Sequence, residues 1–417
     1  MKKIHLILFC TAWVLCSCCN SQSTQNTKKP IVKTGIDVLI EQNFKVLEGK
    51  RVGLCTNPTG VNRDLKATID ILNEAPNVNL VALYGPEHGV RGNIYAGDEI
   101  ETEADEQTGI TMYSLFGKSL KPSPEMLEGI DVMVYDIQDN GSRSYTFIST
   151  MGKLMEACAE NNKELVVLDR PNPLGGKRIE GCLVEEDYVS FISLFPIPYI
   201  YGQTCGELAL YLNAKRDTPC HLTVVPMEGW TRDMTWDKTG LEWVIASPHI
   251  PHWKTCFFYP ATGMLGDFDC FNNGVGYTLP FEILGAAWIK DAGEFAKAMN
   301  DLNLPGVVFR PLHYNPFFSK GAGTTLEGIQ IHITDFEKVQ LTDLNFLIIQ
   351  ELMRLYPEEN IFEKTNGGKF RMFDLACGTG YIREHFSKNY RWDEVKDYWY
   401  KDVETYRQES SKYYLYK

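Results

Sequence analysis

The chain has 417 residues, enough for two domains, and its 44% apolar and 12% aromatic content can fill sizeable cores, which excludes a globally disordered protein. With 54 acidic against 41 basic residues, a formal net charge of -13, it is a poor partner for nucleic acid, and no basic patch with interleaved aromatics offsets that charge. The 12 cysteines show no metal-ligand spacing; several sit inside apolar runs and read as small core residues, and no disulfide pairing is specified.

Lys2 and Lys3 precede an apolar stretch, residues 4–15, that is too short to span a bilayer but suits an export signal. It closes in Leu15-Cys16-Ser17-Cys18, which resembles a bacterial lipoprotein cleavage box, although Cys16 is unusual inside one. Residues 1–17 are therefore expected to be a cleaved signal peptide. Cys18 is expected to carry lipid and to anchor an exported, periplasm-facing protein to the membrane of the cell envelope; an ordinary cleaved signal is the alternative. Residues 18–32, rich in Ser, Gln, Asn and Thr, read as a flexible tether.

Beyond the tether, short apolar strands alternate with helical patterns. Strands are expected at 52–56, 78–84, 132–135 and 165–168. Between the last two, Phe147, Ile148, Met151, Leu154, Met155 and Cys158 recur at helical spacing. Thr204 and Glu207 form the T-x-x-E of a capping box, which reads Glu207 as a helix cap rather than a catalyst. Strands buried on both faces and joined by helices imply an α/β domain built on a parallel sheet, expected over residues 33–250. Around 245–262 the chain turns rich in Pro and aromatics, as a crossover would. Strands near 306–309 and 329–333 and a helix over 344–356 then suggest a smaller α+β domain over 251–417.

In an open parallel sheet, ligands bind outside the carboxyl ends of the strands. Three expected strands end in polar clusters: Glu87-His88-Gly89 with Arg91, then Asp136 to Asp139 with Gly141-Ser142-Arg143, then Asp169-Arg170-Pro171-Asn172. A single Asp at a strand end reads as a cap or turn former, but three clusters on one rim read as a site. Glu and His are the common proton carriers near neutral pH, and the glycines beside them suggest unusual backbone. Two carboxyl groups flanking a bond are the equipment of glycoside hydrolysis. No phosphate loop, G-x-S-x-G elbow or H-E-x-x-H helix is present. The stretch from Phe373 to Gly380 imitates the first motif of a methyltransferase, but too little chain follows to complete a nucleotide-binding domain. His249-Ile250-Pro251-His252 lacks a third ligand, and Pro251 breaks the helix that would align both rings, so no metal is expected. The acidic run from Glu99 and Glu101 to Asp105 and Glu106 reads as a solvated loop.

These clusters resemble those of the exo-β-N-acetylmuramidase (NamZ-like) glycoside hydrolases of bacterial cell-wall recycling. The stretches that carry the resemblance are LYGPEHGVRG at 83–92, DIQDNGSR at 136–143, LDRPNPLGG at 168–176, YGQTCGELA at 201–209, YPATG at 259–263 and PFEILGAAWI at 280–289, followed by the neighbourhoods of Gly306 and Glu327-Gly328-Ile329-Gln330. They run in order through roughly residues 33–400. The resemblance implies a Rossmann-like domain with a smaller domain closing a cleft over it. It also implies release of N-acetylmuramic acid (MurNAc) from the non-reducing end of peptidoglycan fragments, no metal or organic cofactor, and Glu87 as catalytic residue. The chain departs from the family pattern ahead of Pro280: where an arginine, a glycine and Thr-Asp are usual it carries Gly274 to Leu279 without the aspartate. Gln203-Thr204-Cys205-Gly206-Glu207 replaces Met-x-Pro-Gly-Glu, and Asn140 replaces a small apolar residue.

The expected constellation is Glu87 as general acid, its pKa raised by burial, with His88 beside it and Asp136 as a second catalytic carboxylate. Asp139, Asp169 and the substrate's own acetamido group are the alternatives for that second role. Arg91, Gln138, Asp139, Arg143, Asp169, Arg170 and Asn172 are expected to bind substrate, with Arg143 on the cleft rim against the lactyl carboxylate of MurNAc. Two rival readings are a non-catalytic lipoprotein that binds wall fragments, which the missing aspartate would suit, and an esterase or amidase, for which no nucleophile signature exists.

Overall fold

The computed structural model describes residues 32–92, 103–117, 119–364 and 370–417; the signal, Cys18, and Glu99 and Glu101 lie outside the described residues. Seven strands form one sheet: β1 (Arg51–Thr56), β2 (Asn79–Gly85), β3 (Glu103–Ala104), β4 (Thr111–Ser114), β5 (Val132–Asp136), β6 (Glu164–Leu168) and β7 (His221–Val225). Their order is β3-β4-β2-β1-β5-β6-β7, and every neighbour pair is parallel except the β3–β4 edge. The four expected strands make up its centre. β7 escapes a reading by apolar runs because it opens with a histidine and is only partly buried.

Alternate residues of each strand face opposite sides. Leu54, Val134 and Val166 pack with Ile36 and Leu39 of α1 (Gly35–Glu41) and with Ile69 and Leu72 of α2 (Thr68–Glu74). Cys55, Tyr135 and Val167 face the other way, onto α3 (Phe147–Glu160) and α4 (Cys205–Ala214). Both faces are thus covered, which is why the strands read as unbroken apolar runs. Each such buried Val or Leu contributes about 1.5–3 kcal/mol. Thr204 and Glu207 make the expected capping box at α4, and Glu207 also pairs with Arg232 at 2.7 Å.

The later chain supplies α5 (Thr255–Thr262), β8 (Ile283–Ala286), α6 (Ala292–Asp301), β9 (Val307–Tyr314), β10 (Leu326–Ile333), α7 (Asp343–Leu355) and α8 (Phe370–Cys377). Its three strands pair antiparallel in the order β8-β10-β9. Phe295, Ile329 and Leu344 belong to the same buried cluster as Tyr135 and Phe147, so the two sheets share one core. The chain end returns to the first sheet, where Tyr416 donates to Asp169 Oδ2 (2.5 Å) and the Lys417 carbonyl accepts from Arg232 N (2.8 Å).

Arg143 ties these parts together, and its place corrects the expectation of a cleft-rim arginine. It is fully buried. Nη1 donates to the carbonyls of Cys182 (2.9 Å) and Ile197 (2.6 Å), and Nη2 to those of Ala376 and Cys377 (both 2.8 Å). The last two are free carbonyls at the end of α8, where a cation is favoured. The glycine that imitated a methyltransferase loop, Gly378, is the left-handed residue (φ 76°) terminating that helix, and a Cβ there would stand 2.9 Å from Arg143 Nη2. Replacing Arg143 by Met should leave buried acceptors unpaired and lower stability by about 3 kcal/mol. A urea denaturation midpoint equal to wild type would contradict this anchoring role.

Candidate functional site

The site is built where β2 ends. Gly85 closes the strand and the chain doubles back at once, with Gly89 N donating to Pro86 O at 2.9 Å. A Cβ on Gly85 would lie 3.1 Å from Gly89 Cα, so the turn is closed over bare backbone. His88 and Gly89 both adopt left-handed backbone, φ 74° and 73°. For a histidine that costs of order 1–3 kcal/mol and is tolerated where the surroundings over-determine it. The turn leaves Glu87 half-buried and His88 buried.

Groups from the later chain meet this turn. Burial lowers the pKa of His249, and the charge of His88 adds to that shift, so the two imidazoles are neighbours. The exposed Phe318 ring lies tilted against His249, centroids 6.1 Å apart. Tyr259 on α5 approaches Ser144 (3.2 Å between hydroxyl oxygens), and Ser144 in turn lies 2.8 Å from the Tyr199 hydroxyl. The Tyr259 phenol is pushed up by burial against the Ser144 hydrogen bond, and the charges of Asp267, Asp139 and Glu87 all add to the rise. Carboxyl groups from three segments therefore act on one phenol.

Two of them have unusual proton affinities. Asp139 is buried at 4% exposure; Oδ2 accepts from Gly141 N at 2.7 Å and from the Tyr201 hydroxyl, while Oδ1 has no hydrogen-bond partner among the described residues. Burial raises its pKa to about 7, against the pull of those hydrogen bonds. Asp267, half-buried at the end of a short 3-10 turn (Gly263–Asp267), is raised to about 7 by burial, against the charge of Lys320. Perturbed carboxyls in a cleft are candidates for proton transfer.

The other expected residues serve the framework. Asp136 is fully buried and bound side-on by Arg170 (Nε–Oδ1 2.6 Å, Nη2–Oδ2 2.9 Å), with Thr68 Oγ1 2.5 Å from Oδ2. Its lone pairs are taken, which removes it as a catalyst and removes Arg170 as a ligand for substrate. Asp169 is fully buried and accepts from Gly206 N, Thr204 Oγ1 and the Tyr416 hydroxyl; burial still lifts its pKa to about 6. Arg91 pairs with Asp105 (3.0 Å) and Asp70 (2.9 Å), so its charge is already balanced, and Asp105 is a buried partner rather than a solvated residue. Gln138 Nε2 donates to the carbonyls of Asp139 and Pro171, and Asn172 bridges Gln203 O and Leu174 N. Of the expected set, Glu87, His88 and Asp139 are the residues brought together. Tyr259 sat inside a stretch that carried the family resemblance; Asp267 had no signal, because an Asp in a Gly-Asp-Phe-Asp run reads as a turn. Among the described residues no group of three or more His, Cys, Asp or Glu could hold a metal ion.

The chain matches the family described as exo-beta-N-acetylmuramidase NamZ, its N-terminal part over residues 52–254 and its C-terminal part over residues 257–416. It is 44% identical over 392 residues to the peptidoglycan beta-N-acetylmuramidase NamZ of Bacillus subtilis (strain 168), covering 94% of this chain and 93% of that protein. Crystal structures of two DUF1343 family proteins from Bacteroides fragilis NCTC 9343 superpose with TM-scores of 0.89 and 0.73 at 57% and 29% identity, each alignment covering 93% of this chain and 99% of the other. A parallel sheet ending in the Glu87 turn, and matches of this extent over both halves, agree: the chain belongs to the exo-β-N-acetylmuramidase NamZ family.

Proposed function

We propose that the protein is an exo-acting glycoside hydrolase that releases MurNAc from the non-reducing end of peptidoglycan fragments. The observation that carries this reading is the turn after β2, which holds Glu87 half-buried beside His88 and among the carboxyl groups around Tyr259. Glu87 stands next to a strained residue, His88 (φ 74°), and backbone strain of that kind marks a functional turn. Ser144 and Tyr259, both half-buried, offer neutral hydroxyls suited to sugar hydroxyl and acetamido groups, and the buried Tyr199 holds Ser144. Glu87 acts as general acid: it gives its proton to the glycosidic oxygen as the bond to the anomeric carbon breaks. His88, buried next to it in the chain, is the strained residue of the turn.

An acid matters in proportion to the basicity of the leaving group. Glu87→Gln should lose about 10²-fold or more in kcat on a MurNAc-GlcNAc disaccharide and much less on nitrophenyl MurNAc, whose leaving group departs largely unaided. Equal losses on both substrates, in a protein that stays folded, would assign Glu87 another role.

The export reading belongs to the same proposal. A lipid on Cys18 would hold the enzyme at the envelope membrane, beside its polymer, on a tether of polar residues. The expected result of Cys18→Ala is a shift of the protein from the membrane fraction to the soluble fraction, with loss of metabolic lipid labelling. An unchanged membrane fraction would count against the anchor.

A further inference from the structure

Glycoside hydrolysis with one acid needs a second group to activate the nucleophile. Asp136 and Asp169 are sealed and saturated, and Asp139 is buried, with Oδ2 engaged and only Oδ1 left without a partner among the described residues. Asp267 differs. It is half-buried rather than sealed, and its carboxylate accepts no hydrogen bond from the described residues. Its position is fixed instead through the backbone on either side, because Lys320 Nζ donates to the carbonyls of Gly266 (2.6 Å) and Phe268 (2.5 Å). The backbone on either side of the carboxylate is thereby held while neither of its oxygens accepts a hydrogen bond from the described residues. The short turn that carries Asp267 starts against the two phenols, where a Cβ on Gly263 would stand 3.6 Å from the Tyr199 hydroxyl oxygen and 4.0 Å from Tyr259 Cζ, and the carboxylate's charge acts on both of them, as that of Glu87 does on Tyr259.

We propose that Asp267 is the second carboxylate of the reaction, the general base that deprotonates the attacking water while Glu87 protonates the departing sugar; this rests on the glycosidase reading above. The bond from the anomeric carbon to the glycosidic oxygen breaks with its electron pair going to that oxygen, which takes the Glu87 proton. Water forms the new bond to the same carbon and loses a proton to Asp267. Asp267 then releases that proton to solvent and Glu87 regains one, so one water is added across one glycosidic bond. A β-linked sugar is released as the α anomer.

Among the described residues, the titratable groups whose charges couple to that of Asp267 include Lys320, Tyr199, Tyr259 and Cys377. Burial places its pKa at about 7, and a base must be deprotonated to act, so the wild-type kcat/KM should climb as pH rises through about 7. The test uses the folded chain, its Asp267→Asn and Asp267→Ala variants, the MurNAc-GlcNAc disaccharide and nitrophenyl MurNAc. Asp267→Asn is expected to lose about 10²-fold or more in kcat on both substrates, with KM little changed, and to lose the climb through neutral pH. Azide or formate should restore part of the Asp267→Ala activity, and the first product seen by NMR should be α-MurNAc. Thermal denaturation keeps folding separate from chemistry. If the wild type is active but Asp267→Asn stays within about tenfold of it, if small anions fail to rescue Asp267→Ala, or if the first product is β-MurNAc, the Asp267 assignment is overturned. A wild type that releases no MurNAc overturns the glycosidase reading itself, and this proposal with it.

Discussion

The Asp136–Arg170 ion pair sets what the rest of the sheet's carboxyl edge can be. It lies at the carboxyl ends of β5 and β6, beside the point where strand order reverses, the crevice where open parallel sheets usually bind ligands. Here the crevice is occupied by the protein itself: Arg170 grips Asp136 side-on and also donates to Val61 O at 2.9 Å. Breaking such a buried pair by removing one partner costs about 3–5 kcal/mol, because the other charge is left uncompensated. The pair therefore fixes the loops after β1, β5 and β6 in one arrangement and moves the space for chemistry toward β2.

The same constraint governs the neighbouring clusters. Polar groups at strand ends that are covered by later chain must find partners inside the protein. Asp169 takes the N-terminus of α4 and the Tyr416 hydroxyl from the chain end, and Arg143 takes carbonyls contributed by three distant stretches. These are the residues that make one folded body out of two sheets. Their charges serve cohesion, and the acidic overall field is not relieved by them in the site.

The centre of the fold was legible in the chain because strands buried on both faces leave unbroken apolar runs, and α4 was legible because Thr204 and Glu207 are spaced as a capping box must be. The Glu87 turn was legible too: a strand that breaks into Gly-Pro-Glu-His-Gly announces backbone that only glycine and strain can supply. The division of labour among Asp136, Asp139, Asp169, Arg143 and Arg170 was not. A chain lists which polar residues follow each strand, but whether they meet solvent depends on segments more than two hundred residues away, such as Ala376 and Tyr416. Asp267 was hidden for the same reason. Its surroundings are assembled from Tyr199, Tyr259 and Lys320, and no local spacing encodes that meeting.

Burial sorts the groups that remain. The saturated carboxyls sit at zero exposure, whereas Glu87, Ser144, His249, Tyr259 and Asp267 are all half-buried and drawn from both halves of the chain. Half-burial is what proton chemistry requires: enough removal from water to move a carboxyl's proton affinity toward neutrality, and enough opening for a substrate atom to arrive. Asp139 and Asp267 reach about 7 by the same cause but differ in what holds them, Asp139 by hydrogen bonds to its own carboxylate and Asp267 by a lysine that donates to the carbonyls of its backbone neighbours. A carboxylate already engaged can orient a sugar hydroxyl. One held from behind, with its oxygens clear, can take a proton and let it go.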